Sequence, residues 1–341
     1  MKEFSSENLK KTKARVISQG LYGKMNMLSF SNTTVEIPVL GPDNDQSLLE
    51  WGRTNLVAIE ELFSKYKVLL FRGFKADIGK DLNLFANLSG KVLIEYVEPS
   101  TPRTRLLNKI YTSTEYPKEQ FIPLHNEQSY ASSWARRIWF SCIQPASTGG
   151  ETPLADSHEV FTRLGVSIQS KFKAKGVMYI RNFGPYLDLK WEDVYETHDK
   201  AKVESILANN GVQFEWKPNG GLMTKQIRPA ITTHPDTKKT LWFNQAHLFN
   251  IETIEPEIAA YLIKEYGVDN LPRNSFYGDG SEIEPEVIRT INECYKKCKM
   301  SFAWQSNDVL MVDNMQFAHG RNPFLGSRKV VVCMADEFSM T

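Results

Sequence analysis

Short apolar segments bounded by turn residues recur along most of the chain, and this pattern constrains the fold more than any other feature. The segments do not alternate with helices in regular βαβ repeats, so a parallel α/β sheet is not indicated. Glycine turns at 148–150, 218–221 and 279–280 separate several of them. The pattern predicts a mainly β protein with helical insertions, a β-sandwich or jelly roll. The predicted strands cover 33–40, 67–74, 137–143, 177–182, 213–217, 240–244, 309–312 and 328–335.

Helical patterns are fewer than strand patterns. The segment 45–66 has apolar residues at helical spacing and predicts an amphipathic helix. Residues 1–30 are polar and rich in lysine, and we predict a mobile arm there. Without internal repeats or Gly/Ser linkers, we expect a single domain over 1–341. The other predicted helices lie near 157–175, 191–210, 256–266 and 285–299.

Charge and composition exclude several classes of function. The formal net charge is +1, with 41 basic and 40 acidic residues, which is not the strongly basic balance of nucleic-acid binding proteins. No apolar run is long enough to cross a membrane, and the first residues lack the apolar core of a signal peptide. We therefore expect a cytoplasmic protein with no nucleic-acid or membrane partner. The four cysteines are too sparse for a disulfide scaffold.

Two of the six histidines have neighbours that suggest metal binding. His125 and Glu127 are two residues apart, so on a strand both side chains would point to the same face. His319 follows the predicted strand 309–312 and precedes a turn, where it could supply a third ligand. Two histidines and one carboxylate form the facial site of non-haem Fe(II) oxygenases. The remaining histidines are predicted to face solvent (His158, His198, His234) or to serve as a hydrogen-bonded structural residue (His247).

Motifs around these residues give a specific resemblance. PLHNEQSY, TGGETPLAD, NDVLMVDNMQFAHGR and GSRKVVV occur in the order found in the Fe(II)/2-oxoglutarate dioxygenases of the taurine dioxygenase (TauD/TfdA) family. YTSTEYP, WFNQAHLF and FAWQSNDVLMVDN resemble its syringomycin-biosynthesis-type, clavaminate-synthase-like branch. The resemblance covers roughly 65–338, the implied catalytic core. It implies a double-stranded β-helix, bound Fe(II), 2-oxoglutarate as co-substrate, dioxygen, and oxidation of an unactivated C–H bond.

The resemblance also implies roles for individual residues. His125, Glu127 and His319 match the iron ligands, and the carboxylate at 127 disfavours halogenation, since halogenating members have Ala or Gly there. Arg328 matches the arginine that grips the far carboxylate of 2-oxoglutarate, a task suited to a planar guanidinium. Thr152 matches the hydroxyl that shares this carboxylate.

Some assignments near the site stay open at the level of sequence. Lys329 and Arg321 compete with Arg328 for anionic groups; we favour Arg328 because strand alternation can direct it inward and Lys329 outward. Asp313 and Asn314 are predicted to brace the strand end that leads to His319. Candidate substrate contacts, each equally explained as a turn amide, packed aromatic or competing cation, are Asn126, Tyr130, Tyr111 and Arg321. The aromatic residues assigned to the core are Trp242, Phe243, Phe249 and Trp304.

The resulting functional hypothesis is hydroxylation of an amino acid or amino-acid-derived small molecule in specialised metabolism. The resemblance implies that the substrate is either free or attached to a peptidyl carrier protein. Desaturation or cyclisation on the same scaffold is the first alternative. Two further alternatives are a zinc-dependent hydrolase, which normally has two histidines four residues apart on a helix, and a jelly-roll binding protein without catalysis.

Overall fold

The computed structural model describes residues 13–20, 23–75, 78–95, 104–107, 109–113, 116–184 and 189–339. The strands in the first half are β1 (Lys13–Gly20), β2 (Gly23–Ser29), β3 (Glu36–Gly41), β4 (Val68–Phe71), β5 (Arg105–Leu107), β6 (Ile110–Thr112), β7 (Ile122–His125), β8 (Ser133–Gln144), β9 (Thr148–Gly149) and β10 (Leu154–Asp156). Those in the second half are β11 (Val177–Phe183), β12 (Gln213–Trp216), β13 (Leu222–Arg228), β14 (Ile231–Thr233), β15 (Thr240–Trp242), β16 (Arg273–Tyr277), β17 (Val309–Asp313), β18 (Phe317–Arg321), β19 (Phe324–Leu325) and β20 (Lys329–Ser339).

The α-helices lie mostly in the connections between strands. They are α1 (Leu48–Thr54), α2 (Leu56–Tyr66), α3 (Ile78–Leu88), α4 (Ser157–Arg163), α5 (Val166–Lys175), α6 (Trp191–Val194), α7 (Lys200–Asn209), α8 (Ala246–Phe249), α9 (Pro256–Tyr266) and α10 (Pro285–Cys298). No helix in the described ranges is both long and apolar enough to cross a membrane.

A large sheet of nine strands, in the order β1-β2-β3-β4-β17-β8-β20-β6-β5, forms the centre of the structure. Strand β17 lies antiparallel between β4 and β8, and all of its residues are buried. Its side chains alternate between the faces: Leu310 and Val312 belong to one apolar cluster, Val309 and Met311 to another. Burial on both faces explains why this strand is apolar at consecutive positions and was predictable from sequence.

A small sheet of three strands, β10-β18-β7, carries the candidate site. It faces the large sheet, because Leu154 and Phe317 share an apolar cluster with Ile138 and Phe140 of β8. Its opposite face packs against the long insertion after β10 through another cluster. That cluster includes Leu124 and Ala318 of the small sheet together with Tyr179 of β11. The insertion has its own sheet, β12-β13-β11-β16.

The prediction of a mobile arm over 1–30 is wrong for 13–20 and 23–29, which form strands, whereas 1–12 and 21–22 lie outside the described residues. Strands β1 and β2 pair antiparallel, and β2 continues the large sheet by pairing with β3. Met27 and Leu28 of β2 are buried. The apolar residues here are few and lie among polar ones, so the strand pattern is weak at the level of sequence. The first predicted strand, 33–40, is therefore the third strand, Glu36–Gly41.

Most other predicted elements are confirmed, with breaks that the apolar pattern does not show. The helix predicted over 45–66 divides at Asn55, and the one over 157–175 divides where Leu164 and Gly165 adopt extended backbone. Helix α3 was not predicted. The four aromatic residues assigned to the core are all buried.

One prediction about the histidines is also wrong. His234 does not face solvent; it is fully buried, and its Nε2 lies 3.0 Å from Asp313 Oδ2. His198 is exposed, as predicted, and His158 is half-buried. His247 is a buried structural residue, because its Nε2 donates to the Leu124 carbonyl at 2.9 Å.

Candidate metal centre

Two of the candidate ligands are placed by strand register. His319 lies in the middle of β18, directly opposite His125 of β7, and their ring centroids are 4.9 Å apart. From the sequence, we expect His319 to precede a turn. The structure instead places His319 within β18, and the turn comes earlier and joins β17 to β18. Directly opposed residues on an antiparallel pair bring their side chains close together on one face.

The Glu127 side chain lies close to the two histidines, although its backbone is not part of a strand. Strand β7 ends at His125, so Glu127 lies in the turn that follows and not on the strand, which corrects the predicted geometry. Its Oε2 is 3.8 Å from His319 Nε2. The available ligand atoms of His125, Glu127 and His319 all lie within 4.8 Å of one another, and all three residues are buried.

The polar surroundings of the two imidazoles suit a metal ion. His125 Nδ1 lies 2.8 Å from the Pro123 carbonyl, which can only accept, so Nδ1 carries the proton and the Nε2 lone pair can bind a cation. Neither ring nitrogen of His319 has a hydrogen-bond partner among the described residues. A buried polar nitrogen without a partner is costly. Two imidazoles and one carboxylate fit the donor set of non-haem Fe(II).

A second group of similar residues has different contacts. His234, Asp236 and Asp313 also lie close together. His234 Nδ1 accepts from the backbone N–H groups of Asp236 and Thr237, and the Lys67 ammonium lies 2.8 Å from Asp236. These polar atoms bind protein donors, so this group is an ion-pair network.

A small pocket opens beside His125 and His319, and its lining also includes Thr152 and Arg328. Arg328 immediately precedes β20 and is half-buried, whereas Lys329 is exposed. The Arg328 guanidinium donates to the Gly150 carbonyl at 2.7 Å and to Ser113 Oγ at 3.2 Å. Burial lowers the pKa of Arg328 to about 10, so it stays charged at neutral pH.

Thr152 is oriented by two donors. Its Oγ1 accepts from Trp304 Nε1 at 3.2 Å and from Arg328 Nη2 at 3.4 Å. With both donors on the oxygen, the hydroxyl proton can be donated to an anion in the pocket. Ser113 and Trp304 were not predicted as site residues, although both lie inside motifs that carry the family resemblance. Their position in YTSTEYP and FAWQ was the available signal.

Arg321, a candidate substrate contact, lies in the pocket wall, but both of its Nη nitrogens donate to backbone carbonyls outside the pocket, and only its Nε has no hydrogen-bond partner among the described residues. Its guanidinium donates to the carbonyls of Tyr116, Pro117 and Gln120, in the loop before β7. It is buried, and burial lowers its pKa. These contacts indicate that Arg321 fixes the loop.

The other three candidate substrate contacts also pack against or hydrogen-bond to other residues of the protein. Tyr130 packs in the core, with its ring centroid 5.2 Å from that of Phe249. Tyr111 belongs to the cluster between the two sheets. Asn126 is fully buried and donates to the Asn314 carbonyl at 2.6 Å.

Comparisons with known proteins identify the family of this chain. The family model described as "Taurine catabolism dioxygenase TauD, TfdA family" matches residues 38–334. The dapdiamide synthesis protein DdaC of Enterobacter agglomerans is 38% identical over 278 residues, 82% of this chain and 84% of DdaC. A clavaminate synthase-like protein of Arabidopsis thaliana is 27% identical over 320 residues, 90% of this chain and 92% of that protein.

A solved structure shows the same fold at low sequence identity. PvcB of Pseudomonas aeruginosa superposes with a TM-score of 0.52 and 13% identity, covering 98% of this chain and 93% of PvcB. Another PvcB structure, described as that of an Fe, alpha-ketoglutarate dependent oxygenase from an isonitrile synthetic pathway, gives a TM-score of 0.51 and 14% identity, covering 98% of this chain and 94% of that one. Because the family model matches most of the chain and DdaC is 38% identical to it, the chain belongs to the TauD/TfdA family and is an Fe(II)- and 2-oxoglutarate-dependent dioxygenase.

Proposed function

We propose that the enzyme hydroxylates an unactivated C–H bond of an amino acid or amino-acid-derived small molecule, with Fe(II) held by His125, Glu127 and His319. The observation that carries this proposal is the convergence of these three side chains beside the pocket that Arg328 and Thr152 line. The iron supplies the centre at which dioxygen and 2-oxoglutarate react.

The protein side chains would bind and orient 2-oxoglutarate and would exclude water. Arg328 and Thr152 would hold the far carboxylate of 2-oxoglutarate through charge-assisted hydrogen bonds. Gly150 and Ser113 accept from the guanidinium and fix its orientation, while Trp304 fixes the hydroxyl of Thr152. The burial of all three proposed ligands keeps bulk water from the reacting centre.

The relatives support a place in specialised metabolism. DdaC is named as a dapdiamide synthesis protein, and PvcB is described as an oxygenase of an isonitrile pathway. We infer a small-molecule substrate with amino-acid character, either free or attached to a peptidyl carrier protein. Desaturation and cyclisation are the alternative outcomes on the same scaffold.

We also propose that residues 1–341 form one domain with a double-stranded β-helix at its centre. The facing of the nine-stranded and three-stranded sheets across one apolar cluster supports this architecture. Limited proteolysis of the full chain tests it: a single domain should leave one large resistant fragment that contains both Glu127 and His319.

The reaction class is tested by anaerobic reconstitution with Fe(II) and 2-oxoglutarate, followed by air and a screen of free and carrier-bound amino acids. We expect succinate release coupled to a product that has gained one oxygen atom, without chlorination even at high chloride concentration. Glu127→Ala should abolish most turnover, because the loss of an anionic ligand weakens iron binding.

Other outcomes would contradict this proposal in different ways. A chlorinated product from the unmutated enzyme would overturn the reaction class, and a product that has lost two hydrogen atoms would indicate desaturation or cyclisation. Hydrolysis that depends on zinc and not on 2-oxoglutarate would favour the hydrolase alternative. No consumption of 2-oxoglutarate with any substrate would favour a binding protein.

A further inference from the structure

The three candidate ligands differ in what fixes their backbone. His125 and His319 belong to neighbouring strands and are set opposite each other by the sheet. Glu127 lies beyond the end of β7, in a turn. The next residue, Gln128, is buried and has a φ of 56°, a left-handed conformation that is uncommon for a residue with a side chain. A turn of this kind needs support from outside itself to keep one geometry.

Asn314 gives that support with a single side chain. The Glu127 N–H donates to Asn314 Oδ1 at 2.7 Å. Asn314 Nδ2 donates to the Glu127 carbonyl at 3.0 Å and to the Ala135 carbonyl of β8 at 2.8 Å. One amide therefore bonds both backbone polar groups of Glu127 and ties them to the large sheet. Asn314 itself is fully buried, where such bonds are strong and their loss is costly.

Two further amides hold the same turn. Asn126 Nδ2 donates to the Asn314 carbonyl at 2.6 Å, so the contact between the two segments is reciprocal. Gln245 Nε2 donates to the Asn126 carbonyl at 2.8 Å, from the insertion side. Asn126, Asn314 and Gln245 are each at most 1% exposed. They form a buried amide clamp around the residue that bears the metal-binding carboxylate.

We propose that Asn314 is the positioning residue for the iron carboxylate: its amide fixes the Glu127 turn so that the carboxylate faces His125 and His319. This inference rests on the proposed function of Glu127 as an iron ligand. Metal affinity depends on how well the ligands are held before the ion arrives, and groups that orient ligands typically contribute about 10- to 100-fold. Asn314 need not touch the ion to affect its binding.

The test compares two buried asparagines with similar contacts. Asn250 is 4% exposed; its Nδ2 donates to the Ser275 carbonyl and hydroxyl, and its Oδ1 accepts from the Glu252 N–H. Asn314→Ala and Asn250→Ala each remove three bonds and should lower the free energy of unfolding similarly. Co(II) binding to the metal-free proteins, without 2-oxoglutarate, is then measured by calorimetry and by visible absorption.

We expect Asn314→Ala to bind Co(II) about 10- to 100-fold more weakly and with an altered visible spectrum. Asn250→Ala should remain within about twofold of the unmutated protein, with its spectrum unchanged. Equal Co(II) affinity and spectra in Asn314→Ala and the unmutated protein would overturn the positioning role while leaving the metal site intact. Failure of the unmutated protein to bind Co(II) would instead overturn the proposed function on which this role rests.

A milder variant covers the case in which Asn314→Ala does not fold. Gln245→Met keeps the side-chain volume and removes only the donor to Asn126. The clamp predicts a loss of Co(II) affinity of about threefold or more for this variant. An unchanged affinity in a folded Gln245→Met protein would overturn the clamp.

Discussion

Arg328 and Lys329 are adjacent in the chain but have opposite surroundings, the first in the pocket and the second exposed. We expect Arg328→Ala to raise the Kd for 2-oxoglutarate by about 10- to 100-fold, because a charge-assisted bond in a buried pocket contributes about 1.5–3 kcal/mol. Lys329→Ala should change this Kd by less than about twofold. Titration of 2-oxoglutarate under anaerobic conditions measures both values. The reverse order of effects would show that the pocket recognises the co-substrate through the other cation.

At the residue scale, the sequence indicated which side chains could bind a metal ion but not which residues contact one another. Imidazole and carboxylate side chains inside family motifs were enough to select His125, Glu127 and His319. The role of Asn314 was predicted only in part: it was expected to brace the strand leading to His319, and its side chain binds the Glu127 turn instead. That contact joins segments far apart in the chain, and no local pattern encodes it.

Arg321 acts at the scale of an element, because its guanidinium holds the loop 116–120 through three carbonyls. We expect Arg321→Ala to lower the free energy of unfolding by about 2 kcal/mol and to speed amide hydrogen exchange in this loop. Arg289→Ala is the control, since Arg289 forms an exposed ion pair with Glu286 on α10. If exchange in 116–120 is the same in both variants, Arg321 does not fix the loop.

Strand β17, which is buried on both faces, was predictable from the sequence, whereas strand β2 was not. Strand β17 is apolar at its first four positions and was placed within one residue of its observed bounds. Strand β2 has few apolar residues and was taken for an arm, although Met27 is buried. Glu127 was expected on a strand, because two-residue spacing fits a strand but does not show where the strand ends.

The pH dependence of the free energy of unfolding of the whole molecule should reflect the buried His247. Burial lowers its pKa from 6.5 to about 4, so the folded state favours the neutral imidazole. The contribution of the neutral His247 to the free energy of unfolding is present above pH 6.5. It is lost as the pH falls toward 4, by about 3 kcal/mol at about 1.4 kcal/mol per pKa unit. Chemical unfolding of metal-free protein at pH 7 and pH 4 measures this change.

A His247→Gln variant is the control for this pH dependence. It lacks the titrating group, so it should lose about 3 kcal/mol less than the unmutated protein over the same interval. Equal acid sensitivity of the two proteins would show that His247 does not contribute in this way.

At the scale of the whole molecule, the sequence indicated a mainly β fold with helical insertions, but not how the sheets are joined. The order of nine strands and the pairing of His125 with His319 depend on contacts between distant segments. Hydrophobic pattern specifies which faces are buried and leaves the partner of each strand open. The candidate site could therefore be proposed from the sequence as a set of residues, whereas the distances between those residues required the structure.

The central claim is that His125, Glu127 and His319 bind one Fe(II) ion with positions left open for 2-oxoglutarate. Anaerobic titration of Fe(II) and 2-oxoglutarate, followed by visible absorption and iron analysis, tests it most directly. We expect a weak metal-to-ligand charge-transfer band that saturates at about one of each per chain, and a strong loss of both band and iron in His319→Ala. A His319→Ala protein that keeps the full band and the full iron content would contradict the account.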